Sequence, residues 1–114
     1  MEIKDGVDTT HYTYRVSWSA EDHEYVATCL ELPSLSWLAK DQIRALKGVE
    51  QLVRDVVMDL LASGEPVPEP LAERSYSGRF NVRLPPALHR ELATEAAEHG
   101  ISLNRLVSDR LAHH

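Results

Sequence analysis

The sequence predicts an α+β chain: a small antiparallel sheet packed on one long helix, followed by a separate strand-helix-helix tail. Three observations carry this. Apolar and polar residues alternate in one early segment that a polar turn joins to a second, apolar one; apolar residues recur at three-four spacing through one long central segment; and three prolines at alternate positions then interrupt the chain.

The body, residues 1–62, opens with a strand over 12–19, where Tyr12, Tyr14, Val16 and Trp18 alternate with Thr13, Arg15, Ser17 and Ser19. Period two with aromatic and β-branched residues marks a half-buried strand. Glu21-Asp22-His23-Glu24 is a polar turn, and residues 25–30 return as the second strand of a hairpin. Leu32-Pro33-Ser34 breaks the hairpin, and residues 35–39 form a short third strand. Asp41 is placed to cap a helix. Behind it Ile43, Leu46, Val49, Leu52, Val53, Val56, Val57, Leu60 and Leu61 keep the spacing of one helix face. The body therefore reads β-β-β-α.

The clearest boundary is Ser63-Gly64-Glu65-Pro66-Val67-Pro68-Glu69-Pro70. Alternate prolines favour an extended polyproline conformation, and Gly64 suits the end of the preceding helix. Residues 71–78 are small and polar, so 63–78 is expected to be a linker. In the tail, residues 79–114, Arg79, Asn81 and Arg83 lie on one face of a predicted strand and Phe80, Val82 and Leu84 on the other. Pro85 ends that strand and Pro86 fits the first turn of a helix. Leu88, Leu92, Ala93 and Ala96 give this helix its apolar stripe, and Gly100 ends it. Ser102 then caps a second helix that carries Leu103, Leu106, Val107 and Leu111 on one face.

Composition narrows the function classes. Apolar residues make up 43% and charged residues 26% of the 114, which argues against disorder throughout. No apolar run reaches the roughly 18 residues a membrane helix needs, so no membrane contact is expected. The first five residues lack the apolar stretch of a signal peptide, and the chain is expected in the cytoplasm. Cys29 is the single cysteine, which leaves no disulfide framework and no Cys-rich zinc site. The net charge of −6 is unevenly spread. Residues 1–75 carry fourteen acids against seven bases, a formal −7, and residues 76–114 five bases against four acids, a formal +1. An acidic body suits a basic protein partner, with Glu21, Asp22, Glu24 and Glu31 as candidate contacts, while the tail tolerates phosphate.

Catalysis is not expected. The strand residues Thr13, Arg15, Ser17, Thr28 and Cys29 supply no carboxylates to converge on metal ions. Asp22, His23 and Glu24 sit in a turn, where polar residues are usual, and Cys29 has no base placed for it. Asp55 and Asp59 belong with Lys47 and Arg54 to an ordinary solvated helix face. No metal and no cofactor are expected, and His113 and His114 are given no role.

A tail of thirty-six residues is below the size that usually folds alone, and its six-residue strand has no partner within it. Both problems vanish if two chains pair their strands antiparallel. Phe80, Val82, Leu84, Leu88, Leu92, Leu103, Leu106 and Val107 would then build a shared core. Arg79, Asn81 and Arg83 of both chains would stand on a two-stranded ribbon of the kind that enters the DNA major groove. There arginine can bridge guanine O6 and N7, and asparagine adenine N6 and N7.

Residues 79–92, RFNVRLPPALHREL, followed by residues 98–106, EHGISLNRL, resemble the ribbon-helix-helix (Arc/MetJ-like) family of DNA-binding proteins over the whole tail. The resemblance implies base contacts from Arg79, Asn81 and Arg83 and a backbone-phosphate anchor at Ser102, Leu103 and Asn104. In the body, residues 14–33 with the short strand and long helix after them resemble the HicB antitoxins, for which a ribbon-helix-helix tail is one of two common endings. That implies a degenerate RNase H-like body and a HicA-like toxin, a small basic RNA-cleaving protein, as partner. It also implies repression of the protein's own operon through double-stranded operator DNA. The chain departs from the family in its first turn, where glycine is frequent and Glu21-Asp22-His23-Glu24 stands here. The expected assembly is a homodimer, or a tetramer if the body adds a second contact. The competing readings are a ribbon-helix-helix regulator without a toxin and, more remotely, a nuclease.

Overall fold

In the computed structural model, which describes residues 2–3 and 7–113, the chain divides into two units after Tyr76. The first unit begins with a two-stranded antiparallel pair, β1 (Glu2–Ile3) and β2 (Val7–Asp8), and a 3-10 turn at Thr9–His11. A three-stranded antiparallel sheet follows, made of β3 (Tyr14–Ser19), β4 (Glu24–Cys29) and β5 (Ser36–Ala39) in the order β3-β4-β5. The long helix α1 (Gln42–Ala62) packs on it.

Register explains the core. Val16 pairs with Ala27 and Ala27 with Trp37, while Tyr14 pairs with Cys29 and Tyr25 with Ala39. Because side chains alternate along a strand, these residues share one face. Tyr14, Val16, Tyr25, Ala27, Cys29 and Ala39 all join a cluster with Ala45, Val49, Val53 and Val57 of α1. Those four helix residues recur every fourth position and are wholly buried. Asp41 caps α1 as expected, its carboxylate accepting from the Arg44 amide at 2.8 Å. At the other end Gly64, with φ of +71°, lets the Glu65 amide reach Leu60 O and its own amide reach Leu61 O.

Some expectations need correction. Ile43 is 67% exposed, and Ala45 takes the first core position in its place, because the buried stripe begins one helical step further round. Tyr12 and Leu30 fall outside the strands; Tyr12 is nevertheless buried in the core and Leu30 is exposed. Trp18, expected on the half-buried face, is largely exposed at the hairpin end, edge-on to Tyr25 at 5.1 Å. In the turn His23 takes a left-handed φ of 52°, a conformation that costs a side chain on the order of 1 kcal/mol and explains the preference for glycine in such turns. Gly48 had no expected role. A Cβ there would lie 2.1 Å from the Trp37 ring, so glycine is what lets the indole rest on α1.

The largest difference concerns the stretch expected as a linker. Residues 66–73 run along the first unit as a strap. Val67 packs on the core, Pro70 is fully buried, and Leu71–Glu73 makes a 3-10 turn. The Tyr12 hydroxyl donates to Pro68 O at 2.6 Å. Burial pushes this phenol up to about 12, so it remains a donor across the physiological range. His11 Nδ1 pairs with Glu73 Oε1. Glu31, only 7% exposed, accepts from the amides of Thr13 and Leu71, both at 2.9 Å, and from the Thr13 hydroxyl at 3.1 Å. Alternate prolines do produce extended backbone, but that backbone finds a hydrophobic seat instead of solvent.

Two titrations bear on the strap with opposite sign. Burial raises the Glu31 carboxyl, but the amides of Leu71 and Thr13 outweigh it and hold it below its usual 4.5. Its contribution is complete above 4.5 and is lost as pH falls through the depressed value. The hydrogen bond to Glu73 raises His11 above its usual 6.5, so that contribution is complete below 6.5 and is lost as pH rises through the raised value. Strap protection should therefore be greatest between pH 4.5 and 6.5. Amide exchange at Leu71 and Arg74, corrected for intrinsic rates and referenced to β4, measures this. His11→Ala should remove the alkaline fall alone, and a profile flat from pH 4 to 8 would contradict both assignments.

The second unit holds α2 (Pro86–Glu98) and α3 (Leu103–Ala112). Pro86 starts α2 as expected. Gly100, at φ +66°, ends it with the Ile101 amide on Ala96 O and its own on Ala97 O. Ser102 caps α3, its hydroxyl oxygen accepting from the Arg105 amide at 3.1 Å. Arg110 of α3 pairs with Glu95 of α2. No strand is formed over residues 79–84 in the single chain. The alternation is present, but a strand needs a neighbour for its backbone groups and this unit contains none.

Candidate nucleic-acid interface

Residues 79–84 are exposed without exception, and their two faces differ in chemistry. Arg79, Asn81 and Arg83 supply two guanidinium forks and one carboxamide at every second position. Phe80, at 75% exposure, Val82 and Leu84 alternate with them. The segment starts just after Gly78, at φ +83°, where the Ser77 hydroxyl oxygen accepts from the Arg79 amide at 3.1 Å. Pro85 and Pro86 then pass directly into α2, which fixes where the segment ends.

The apolar residues expected in a shared core fall into two groups. Leu106 is buried and Leu92, Leu103 and Val107 are half-buried between α2 and α3, together with buried Ala96. Phe80, Val82, Leu84 and Leu88 stay exposed. A single tail thus covers its inner helix faces and leaves an apolar strip beside the arginine-asparagine strip. Fully burying side chains of this size is worth about 1.5–3 kcal/mol each, so a surface that covers the strip gains strongly.

Ser102, Leu103 and Asn104 lie together at the start of α3, with Ser102 and Asn104 exposed. The first amides of a helix have no acceptor within it, and the helix dipole places partial positive charge there, which favours a phosphate. The Ser102 hydroxyl oxygen takes one amide of that first turn, Arg105's.

The body offers no comparable chemistry. Among the described residues no group of three or more His, Cys, Asp or Glu side chains is placed to hold a metal ion. Cys29 is buried, and burial pushes its thiol above the usual 9.0, so it is a neutral thiol and not a nucleophile at neutral pH. Asp55 accepts from Gln51 on the outer face of α1, in an ordinary solvated row. His114 lies outside the described residues. Of the acidic residues named as contacts for a basic partner, Glu31 is withdrawn, being buried and engaged with Thr13 and Leu71. Glu21 and Asp22 are exposed, Asp22 accepting from the Ser19 hydroxyl, and Glu24 lies 4.0 Å from Lys40. Sequence reasoning missed Glu31 because nothing in Leu30-Glu31-Leu32 announces a buried carboxylate; its partners come from eighteen and forty residues away.

The described helices include none long and apolar enough to cross a membrane. The HicB family matches residues 62–111, slightly under half of the chain. This match takes in the strap and nearly all of the second unit, and it does not reach the sheet or most of α1. No curated protein and no solved structure matches the chain.

Proposed function

We propose that the chain is a DNA-binding antitoxin of HicB type, whose tail represses its own operon and whose body neutralises a small RNA-cleaving toxin. One observation carries the reading. A fully exposed segment, polar on one face with Arg79, Asn81 and Arg83 and apolar on the other, precedes two helices within the stretch that matches the HicB family.

Two copies of this segment, paired antiparallel, would satisfy each other's backbone groups and turn both apolar strips inward as a shared core. Six polar side chains would then project from one ribbon. Guanidinium groups suit guanine and the carboxamide suits adenine in the major groove. The start of α3 would seat a backbone phosphate, setting register without reading sequence. The β-β-β-α order of the body and the formal −7 of residues 1–75 support contact with a basic protein by charge complementarity. No step of this function needs catalysis or a cofactor.

A second reading, a transcription regulator without a toxin, has its own support: the family match lies on the tail and stops short of the sheet. Two assays on separate variants distinguish the readings. They are a gel shift with the chain's own promoter and growth with the neighbouring reading frame induced. Residues 1–76 alone should protect cells and bind no operator, because the strap stays with the body. Asn81→Ala in the full chain should derepress transcription yet still protect. Protection lost in Asn81→Ala, at unchanged level and folding, would assign neutralisation to the tail. No toxicity from any neighbouring frame would favour the regulator.

A further inference from the structure

The strap has few ties, and they converge on one carboxylate. Among the described residues it forms no sheet bonds, and it inserts one fully buried proline, Pro70, with Val67, Pro68 and Leu71 partly buried. Among the described residues three polar contacts hold it: Tyr12 to Pro68 O, the Leu71 amide to Glu31 Oε2, and His11 to Glu73. Beyond Glu73 the hydrogen bonds turn back on the strap itself, Arg74 Nε donating to Glu69 O and the Tyr76 hydroxyl to Leu71 O. The stripe Ala45, Val49, Val53 and Val57 meanwhile lies against the sheet. Segments held by so few buried contacts open at lower free energy than the core beside them.

Glu31 differs from the other ties because each oxygen has its own duty. Oε1 accepts from the Thr13 amide and, at 3.6 Å, from the Cys29 thiol. Oε2 accepts from the Thr13 hydroxyl and the Leu71 amide. Among the described residues these partners are all neutral hydrogen-bond donors, one of which comes from the strap.

We propose that residues 66–73 form a latch, bolted by Glu31, that opens as a unit while the sheet and α1 stay folded, giving the tether to the tail a short and a long state. Latched, the last residue held by the body is Glu73, and five residues, 74–78, precede Arg79. Extended chain of that length spans about 20 Å. Unlatched, the tether begins after the α1 cap at Ser63 and has fifteen residues, 64–78, spanning about 55 Å. The latch makes the length of free tether depend on the state of the body, and it stands whether or not the tail binds DNA.

Glu31→Gln tests the bolt selectively. The amide oxygen can keep the Thr13 amide, while the amide nitrogen meets the Leu71 amide donor to donor. Hydrogen exchange on the full chain should show protection at Leu71, Glu73 and Arg74 falling at least tenfold, with amides of β4 and α1 within twofold of wild type. Tyr12→Phe, which removes only the bond to Pro68 O, should lower protection of the same strap amides about threefold and leave the sheet unchanged. Loss of protection across β4 and α1 in both variants would show that the strap is part of the cooperative core and overturn the latch. Unchanged strap protection in Glu31→Gln would overturn Glu31 as its bolt.

Discussion

Val82→Asp should leave the protein monomeric, with its second unit unfolded and its first unit intact. In the proposed dimer Val82 sits at the middle of the apolar strip, and the two-fold relation brings the substitution in twice. An unpaired buried carboxylate costs several kcal/mol, so two of them should weaken the dimer by at least about a thousandfold. Ala96 and Leu106 are the only buried apolar residues of this unit among those described, too little to hold α2 and α3 together alone. Sedimentation equilibrium at micromolar concentration should show one species of monomer mass, and circular dichroism should lose helical signal equivalent to α2 and α3. A wild-type chain that is monomeric with a folded tail would remove the need for strand pairing.

Replacing Arg79, Asn81 and Arg83 together by alanine should abolish specific operator binding while leaving the dimer intact. Each good bidentate base contact is worth about 1–3 kcal/mol of discrimination, and a dimer would lose six such side chains. A fall of at least about a thousandfold in affinity is expected at fixed salt. Asn104→Ala should act differently, weakening cognate and unrelated duplexes alike, since contacts at the start of α3 go to phosphate. The comparison separates base reading from positioning, and it must be run at stated ionic strength because counterion release makes affinity steeply salt-dependent.

Local chemistry made much of this fold legible in advance. Asp41, Pro86, Gly100 and Ser102 do in the structure what their residue types imply, and strand alternation marks the face on which Tyr14, Val16 and Ala27 meet α1. What escaped depends on distant partners. The prolines of residues 66–70 signal extended backbone, but not that Tyr12 and Glu31 would bind it. Gly48 reads as a poor helix residue until Trp37 is seen against it. Ile43 fits the apolar spacing yet lies beyond the edge of the buried stripe. The segment at residues 79–84 is the reverse case, since its alternation is plain in the sequence and its pairing partner is absent from the chain.

Base reading by the tail is what joins the exposed segment to repression. Fluorescence anisotropy of the full chain at about 150 mM salt, on a duplex of its own promoter and on a shuffled duplex of equal composition, tests that directly. Specific binders prefer their sites by about a thousandfold or more over unrelated DNA. A preference of that order is expected, with two chains bound per site and the preference erased in the Arg79, Asn81 and Arg83 triple alanine variant. Equal affinity for both duplexes, or a preference that survives the triple substitution, would contradict it.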